Sequence, residues 1–86
     1  MIELTLFSRP GCHLCDDMKA AIDRVSQSIA LTLHVVDISG DPDLEARYGV
    51  EIPVLLVDGR KAAKYRVSDQ ELIRILAGRR RPADRT

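Results

Sequence analysis

Apolar and polar positions alternate at the start of the chain, where Ile2, Leu4 and Leu6 are separated by Glu3 and Thr5 and followed by Phe7. A period of two predicts a β-strand. Ser8-Arg9-Pro10-Gly11 has the composition of a turn and stops it. From Cys12 the spacing becomes helical: Leu14, Cys15, Met18, Ala21, Ile22 and Val25 fall on one face. Asp16 and Asp17 lie in the first turn or just beyond it, where negative charge favours a helix start. Leu31 to Asp37 is a second strand, and its nearly continuous apolar content suits a strand covered on both faces.

Asp41-Pro42 predicts a capped helix start, with proline at the first helical position. This short helix runs through Leu44 and Ala46 and ends near Gly49. After Ile52-Pro53, Val54 to Val57 forms a third strand, Asp58-Gly59 a hairpin turn, and Lys61 to Arg66 a returning edge strand. Ser68-Asp69-Gln70-Glu71 is a capping-box pattern opening a last helix. Leu72, Ile73, Ile75 and Leu76 supply its buried side, and Gly78 ends it. The predicted order is β-α-β-α-β-β-α, an α/β domain over residues 1–78 followed by a basic, disordered tail over 79–86.

Composition narrows the class. With 86 residues the chain makes one domain, and 45% apolar with 30% charged residues places it among globular proteins. The N-terminus has neither a basic run nor an apolar stretch long enough for a signal peptide or membrane span, so a cytoplasmic protein without membrane partners is expected. Formal net charge is zero, but residues 1–51 carry nine acids and four bases, while 52–86 carry four acids and nine bases. Arg79, Arg80, Arg81 and Arg85 make up much of that excess. No aromatic or binding motif accompanies them, so a solvated terminus is the expectation and nucleic acid is not the expected partner.

The candidate chemistry lies in Cys12-His13-Leu14-Cys15. Side chains at i and i+3 of a helix share a face, within reach of a disulfide. A helix start offers unpaired backbone N–H groups that favour a thiolate, lowering a cysteine pKa from about 8.5 to ~3.5–7.5. Arg9 and protonated His13 would add to that effect, whereas Asp16 and Asp17 would oppose it. Two other readings are inert buried cysteines and half of a zinc site. Zinc requires four ligands, and His13 between the cysteines is awkwardly placed to be one, so no metal is expected.

Thr5 to Cys15 resembles the glutaredoxin pattern Phe-Ser-Lys/Arg-Pro-x-Cys-x-x-Cys, and Tyr48-Gly49-Val50-Glu51-Ile52-Pro53-Val54 is similar to the segment before that family's cis-proline. The chain thus resembles a small glutaredoxin-like protein of the thioredoxin superfamily, over about residues 2–77. The resemblance implies a thioredoxin fold and disulfide oxidoreductase activity, with Cys12 as nucleophile and Cys15 as resolving thiol. It further implies that Pro53 is cis and that Ile52 offers its backbone to an extended substrate. Arg9 matches the basic residue near the glutathione carboxylate, and His13 and Leu14 replace the usual Pro-Tyr between the cysteines. Where glutaredoxins carry Gly-Gly and an acidic residue that hold glutathione, Ala62 to Val67 stands here, followed by Ser68-Asp69. The buried acid of thioredoxin is replaced by Leu6. Expected substrates are protein disulfides or glutathione mixed disulfides, with a thioredoxin- or glutathione-type electron donor, a monomeric protein and no tightly bound cofactor. The alternative is a redox-inactive adaptor on the same fold.

Overall fold

The computed structural model describes residues 2–79. Seven elements follow the predicted order: β1 (Ile2–Ser8), α1 (His13–Val25), β2 (Leu31–Asp37), α2 (Pro42–Tyr48), β3 (Val54–Val57), β4 (Arg60–Lys64) and α3 (Asp69–Arg79). The sheet has the strand order β2-β1-β3-β4. β1 runs parallel to β2 and antiparallel to β3, and β3 pairs with β4 as a hairpin. Asp58 (φ 49°) and Gly59 (φ 87°) make its turn, with positive φ at both central positions as a tight hairpin requires.

The pleat divides the core between the two faces of the sheet. Ile2, Leu4 and Leu6 of β1 point into the larger cluster, together with Met18 and Ile22 of α1, Leu55 and Val57 of β3, and Leu72 and Leu76 of α3. Phe7 and Val54 point to the other face, where Ile38 and half-buried Leu44 and Tyr48 cover them. The Phe7 and Tyr48 rings stack at 4.4 Å and 13°. Hence α1 and α3 cover one face and α2 the other. β1 and β3 are the doubly covered strands.

Four expectations change. β2 is an edge strand with no buried residue, and Val35 is 47% exposed. Its apolar run is explained by partial cover on each face, with Leu31 and Leu33 against the larger cluster and Val36 against the smaller. β4 stops at Lys64 rather than Arg66, because Tyr65 turns the backbone to φ 66°. Ile73 is 45% exposed, since the stripe of α3 runs through Leu72 and Leu76 and leaves the next residue about 100° away. Gly78 lies within α3, which continues to Arg79. The rest of the expected tail, including Arg80, Arg81 and Arg85, lies outside the described residues.

The predicted caps are present. Asp41 Oδ1 accepts hydrogen bonds from the backbone N–H groups of Asp43 and Leu44 at 3.1 and 3.2 Å. Ser68 Oγ accepts from the Glu71 N–H at 3.1 Å while Glu71 Oε1 accepts from the Ser68 N–H at 3.3 Å, completing the box that starts α3.

Candidate active site

β1 hands the chain to α1 through Arg9, Pro10 and Gly11, and Gly11 takes φ 79°, which a glycine adopts without a Cβ penalty. Cys12 is the N-cap of α1, with φ −91° and ψ 108°, and its sulfur accepts a hydrogen bond from the Cys15 N–H at 3.1 Å. Cys12 and Cys15 are joined as a disulfide, their Cα atoms 5.2 Å apart. The two ends of that bond are not equivalent. Cys15 is buried on the core side of α1, whereas Cys12 is half-exposed in front of the helix. Asp16 and Asp17 are both exposed, so water screens their opposition to charge on Cys12.

The second part of the site is the segment from Gly49 to Pro53. Phe7 faces Val54 in the β1–β3 register, so the residues just before β3 reach the sheet end from which β1 leads to Cys12. The Ile52–Pro53 peptide bond is cis, and the Pro53 side chain is fully buried. Ile52 is half-buried, and among the described residues no backbone hydrogen bond engages it. Its neighbours are engaged. Pro53 O accepts from the Tyr65 N–H at 2.9 Å and Val50 O from the Tyr65 hydroxyl at 3.4 Å. The Glu51 carboxylate pairs with Lys61 and Lys64, and the Lys61 hydrogen bond is the larger cause holding that carboxyl below its ordinary pKa.

Arg9 sits on the α2 side of the turn. Its Nη2 donates to Glu45 Oε1 at 2.7 Å and to Gly49 O at 3.2 Å. Hydrogen bonds from the Ser39 hydroxyl and N–H lower the pKa of nearby Asp37, and the charge of Arg9 contributes a smaller part. His13 is exposed at the first position of α1. Leu14 lines an open cavity of about 320 Å³ between α1 and the β4–α3 connection, along with Met18, Ala21, Tyr65 and Val67. One wall is the two-point ion pair of Arg24 with Asp69, at 2.8 and 2.9 Å. That pair lowers the pKa of Asp69 and raises that of Arg24, through the hydrogen bonds first and charge second.

Glu45, Gly49 and Tyr65 are the residues of this region that sequence reading did not single out. Gly49 was legible as a helix end and as part of the segment before Pro53, and the other two carry no local signal, because their partners lie 12 to 36 residues away.

The model of the Glutaredoxin-like domain (DUF836) matches residues 3–77. The chain belongs to this glutaredoxin-like family. The match takes in both cysteines, the cis-proline and every strand except the first residue of β1. Among curated proteins, Uncharacterized protein Rv0508 of Mycobacterium tuberculosis is 27% identical over 75 residues, covering 81% of this chain and 77% of that one. Among solved structures, target protein XcR50 from X. campestris is 33% identical with a TM-score of 0.77, over 87% of this chain and 96% of that chain. Chloroplastic thioredoxin z, at 11% identity, aligns with a TM-score of 0.72 over 91% of this chain and 77% of that one, a likeness of fold. The four-stranded mixed sheet with its three helices is a thioredoxin fold, and it carries the Cys12–Cys15 pair at the start of its first helix. Among the described residues no helix is long and apolar enough to cross a membrane.

Proposed function

We propose that this protein is a dithiol disulfide oxidoreductase. The observation that carries the reading is the asymmetry of the Cys12–Cys15 pair, half-exposed at the helix cap and buried one turn on. In the reduced protein the Cys12 thiolate attacks one sulfur of a substrate disulfide. A Cys12 mixed disulfide forms and the first substrate thiolate leaves. The Cys15 sulfur, after losing its proton, attacks Cys12 Sγ and releases the second substrate thiolate. The substrate gains two electrons, and the protein is left with the Cys12–Cys15 disulfide. A dithiol or a pair of glutathione thiols, acting as electron donor, returns it to the reduced state.

Position supports this division of labour. The Cys15 N–H that reaches Cys12 Sγ is one of the unpaired donors of the first helical turn, and such donors stabilise a thiolate. Cys15 is sheltered from external disulfides, yet within bonding reach of Cys12. The Ile52 backbone beside Pro53 suits an extended chain carrying the target disulfide, and Leu14 offers an apolar surface at the same site. Protein disulfides and glutathione mixed disulfides are the substrate classes that fit this chemistry, in a monomer acting in the cytoplasm.

The test uses the reduced protein and a disulfide substrate. Cys12→Ser abolishes turnover. Cys15→Ser accumulates a Cys12 mixed disulfide, seen as a mass increase equal to one substrate thiol less two hydrogens. Full turnover by Cys12→Ser disproves the mechanism, whereas a wild-type protein that turns over no disulfide leaves the adaptor role.

A further inference from the structure

Arg9 stands three residues before the exposed cysteine, and its side chain is spent on the other half of the site. One nitrogen, Nη2, donates both to the Glu45 carboxylate and to the Gly49 carbonyl. Glu45 belongs to α2, and Gly49 opens the segment that leads through Ile52 to Pro53. The contact leaves no room. A Cβ on Gly49 would come within 2.5 Å of Glu45 O, 3.1 Å of Glu45 Oε1 and 3.3 Å of Arg9 Nη2. Arg9 Nε is buried without a hydrogen-bond partner. That orientation costs the side chain part of its solvation, as expected where the grip on α2 fixes the guanidinium.

From this geometry we infer that Arg9 is a positioning residue for disulfide exchange. It braces the Cys12 turn against the Gly49–Pro53 segment and is not the ligand of a substrate carboxylate. Glu45, at 2.7 Å, already offsets the charge that an anionic substrate would seek. The brace acts on the segment beside Ile52 from the α2 side, and Tyr65 holds it from the β4 side through Val50 O and Pro53 O. A nucleophile and a substrate-binding strand carried by separate loops react well only at a fixed separation, and a displacement of about 1 Å can cost up to about 100-fold in rate. This inference rests on the exchange reaction proposed above.

Arg9→Met and Glu45→Ala separate the two roles. Turnover of glutathione disulfide, which is anionic, is compared with that of hydroxyethyl disulfide, which is uncharged. Backbone amide exchange is followed by NMR at Gly49 and Glu51, whose N–H groups donate to Glu45 O and Tyr48 O, with Leu4 and Leu55 as core references. A brace predicts that both variants lose about tenfold in kcat/KM on both substrates, and that amide exchange rises at Gly49 and Glu51 while the core amides stay unchanged. A carboxylate ligand predicts opposite signs: Arg9→Met raises KM for glutathione disulfide alone, and Glu45→Ala, which frees the guanidinium, lowers it. That pattern, or unchanged exchange at Gly49 and Glu51, overturns the inference. Raised amide exchange in a protein whose wild type turns over neither substrate would sustain the brace and refute the enzymatic reading.

Discussion

At the scale of single residues, the site joins features that sequence reveals with others that only folding creates. Cys12, Cys15 and Pro53 were legible because a spacing and a short motif carry them. The partners of Arg9 were not, since Glu45 and Gly49 reach it only after α2 has packed. Tyr65 is the clearest case of a residue without a local signal. It holds φ 66°, a region that bulky side chains rarely occupy, and the residue is 44% exposed. The backbone cost can be isolated by comparing Tyr65→Gly with Tyr65→Ala, since both remove the ring and hydroxyl. The glycine variant should be more stable by about 1 kcal/mol in urea unfolding, because only glycine adopts this φ without strain. Equal stabilities would mean that the left-handed turn at Tyr65 carries no such cost.

At the scale of elements, the order of strands and helices was legible because period, caps and turn residues are local properties. Lateral position in the sheet was not. β2 is an edge strand despite its apolar run, whereas the four residues of β3 are covered on both faces. On α3 the neighbours Leu72 and Ile73 look alike in sequence and differ in burial, 0% against 45% exposed. Leu72→Ala should cost about 2–5 kcal/mol of unfolding free energy. Ile73→Ala should cost less than about 1 kcal/mol, as for an exposed position. Similar losses from the two would show that the helix is rotated from the face described.

For the whole molecule, ion pairs join the first part of the chain to the second, in both senses of charge. Glu51 pairs with Lys61 and Lys64, and Arg24 of α1 with Asp69 of α3. The Asp69 carboxyl has a lower pKa in the folded protein than in the unfolded chain. Its stabilising effect is therefore complete above the unfolded carboxylate pKa, about 4, and disappears as pH falls through the lower folded value. Asp69→Asn should lower Tm at pH 7, by a small amount because the pair is exposed. Its Tm should converge with that of the wild type toward pH 2. A Tm difference that persists undiminished at pH 2 would assign the effect to packing instead of charge.

The same scale contains the central claim, that a thioredoxin fold here presents a cysteine pair that cycles between dithiol and disulfide. The most direct measurement equilibrates the protein in glutathione and dithiothreitol buffers spanning about −300 to −150 mV and counts free thiols by alkylation and mass. The account predicts a single two-electron transition within that window, lost in both Cys12→Ser and Cys15→Ser. Cysteines that remain reduced across the whole range would contradict it.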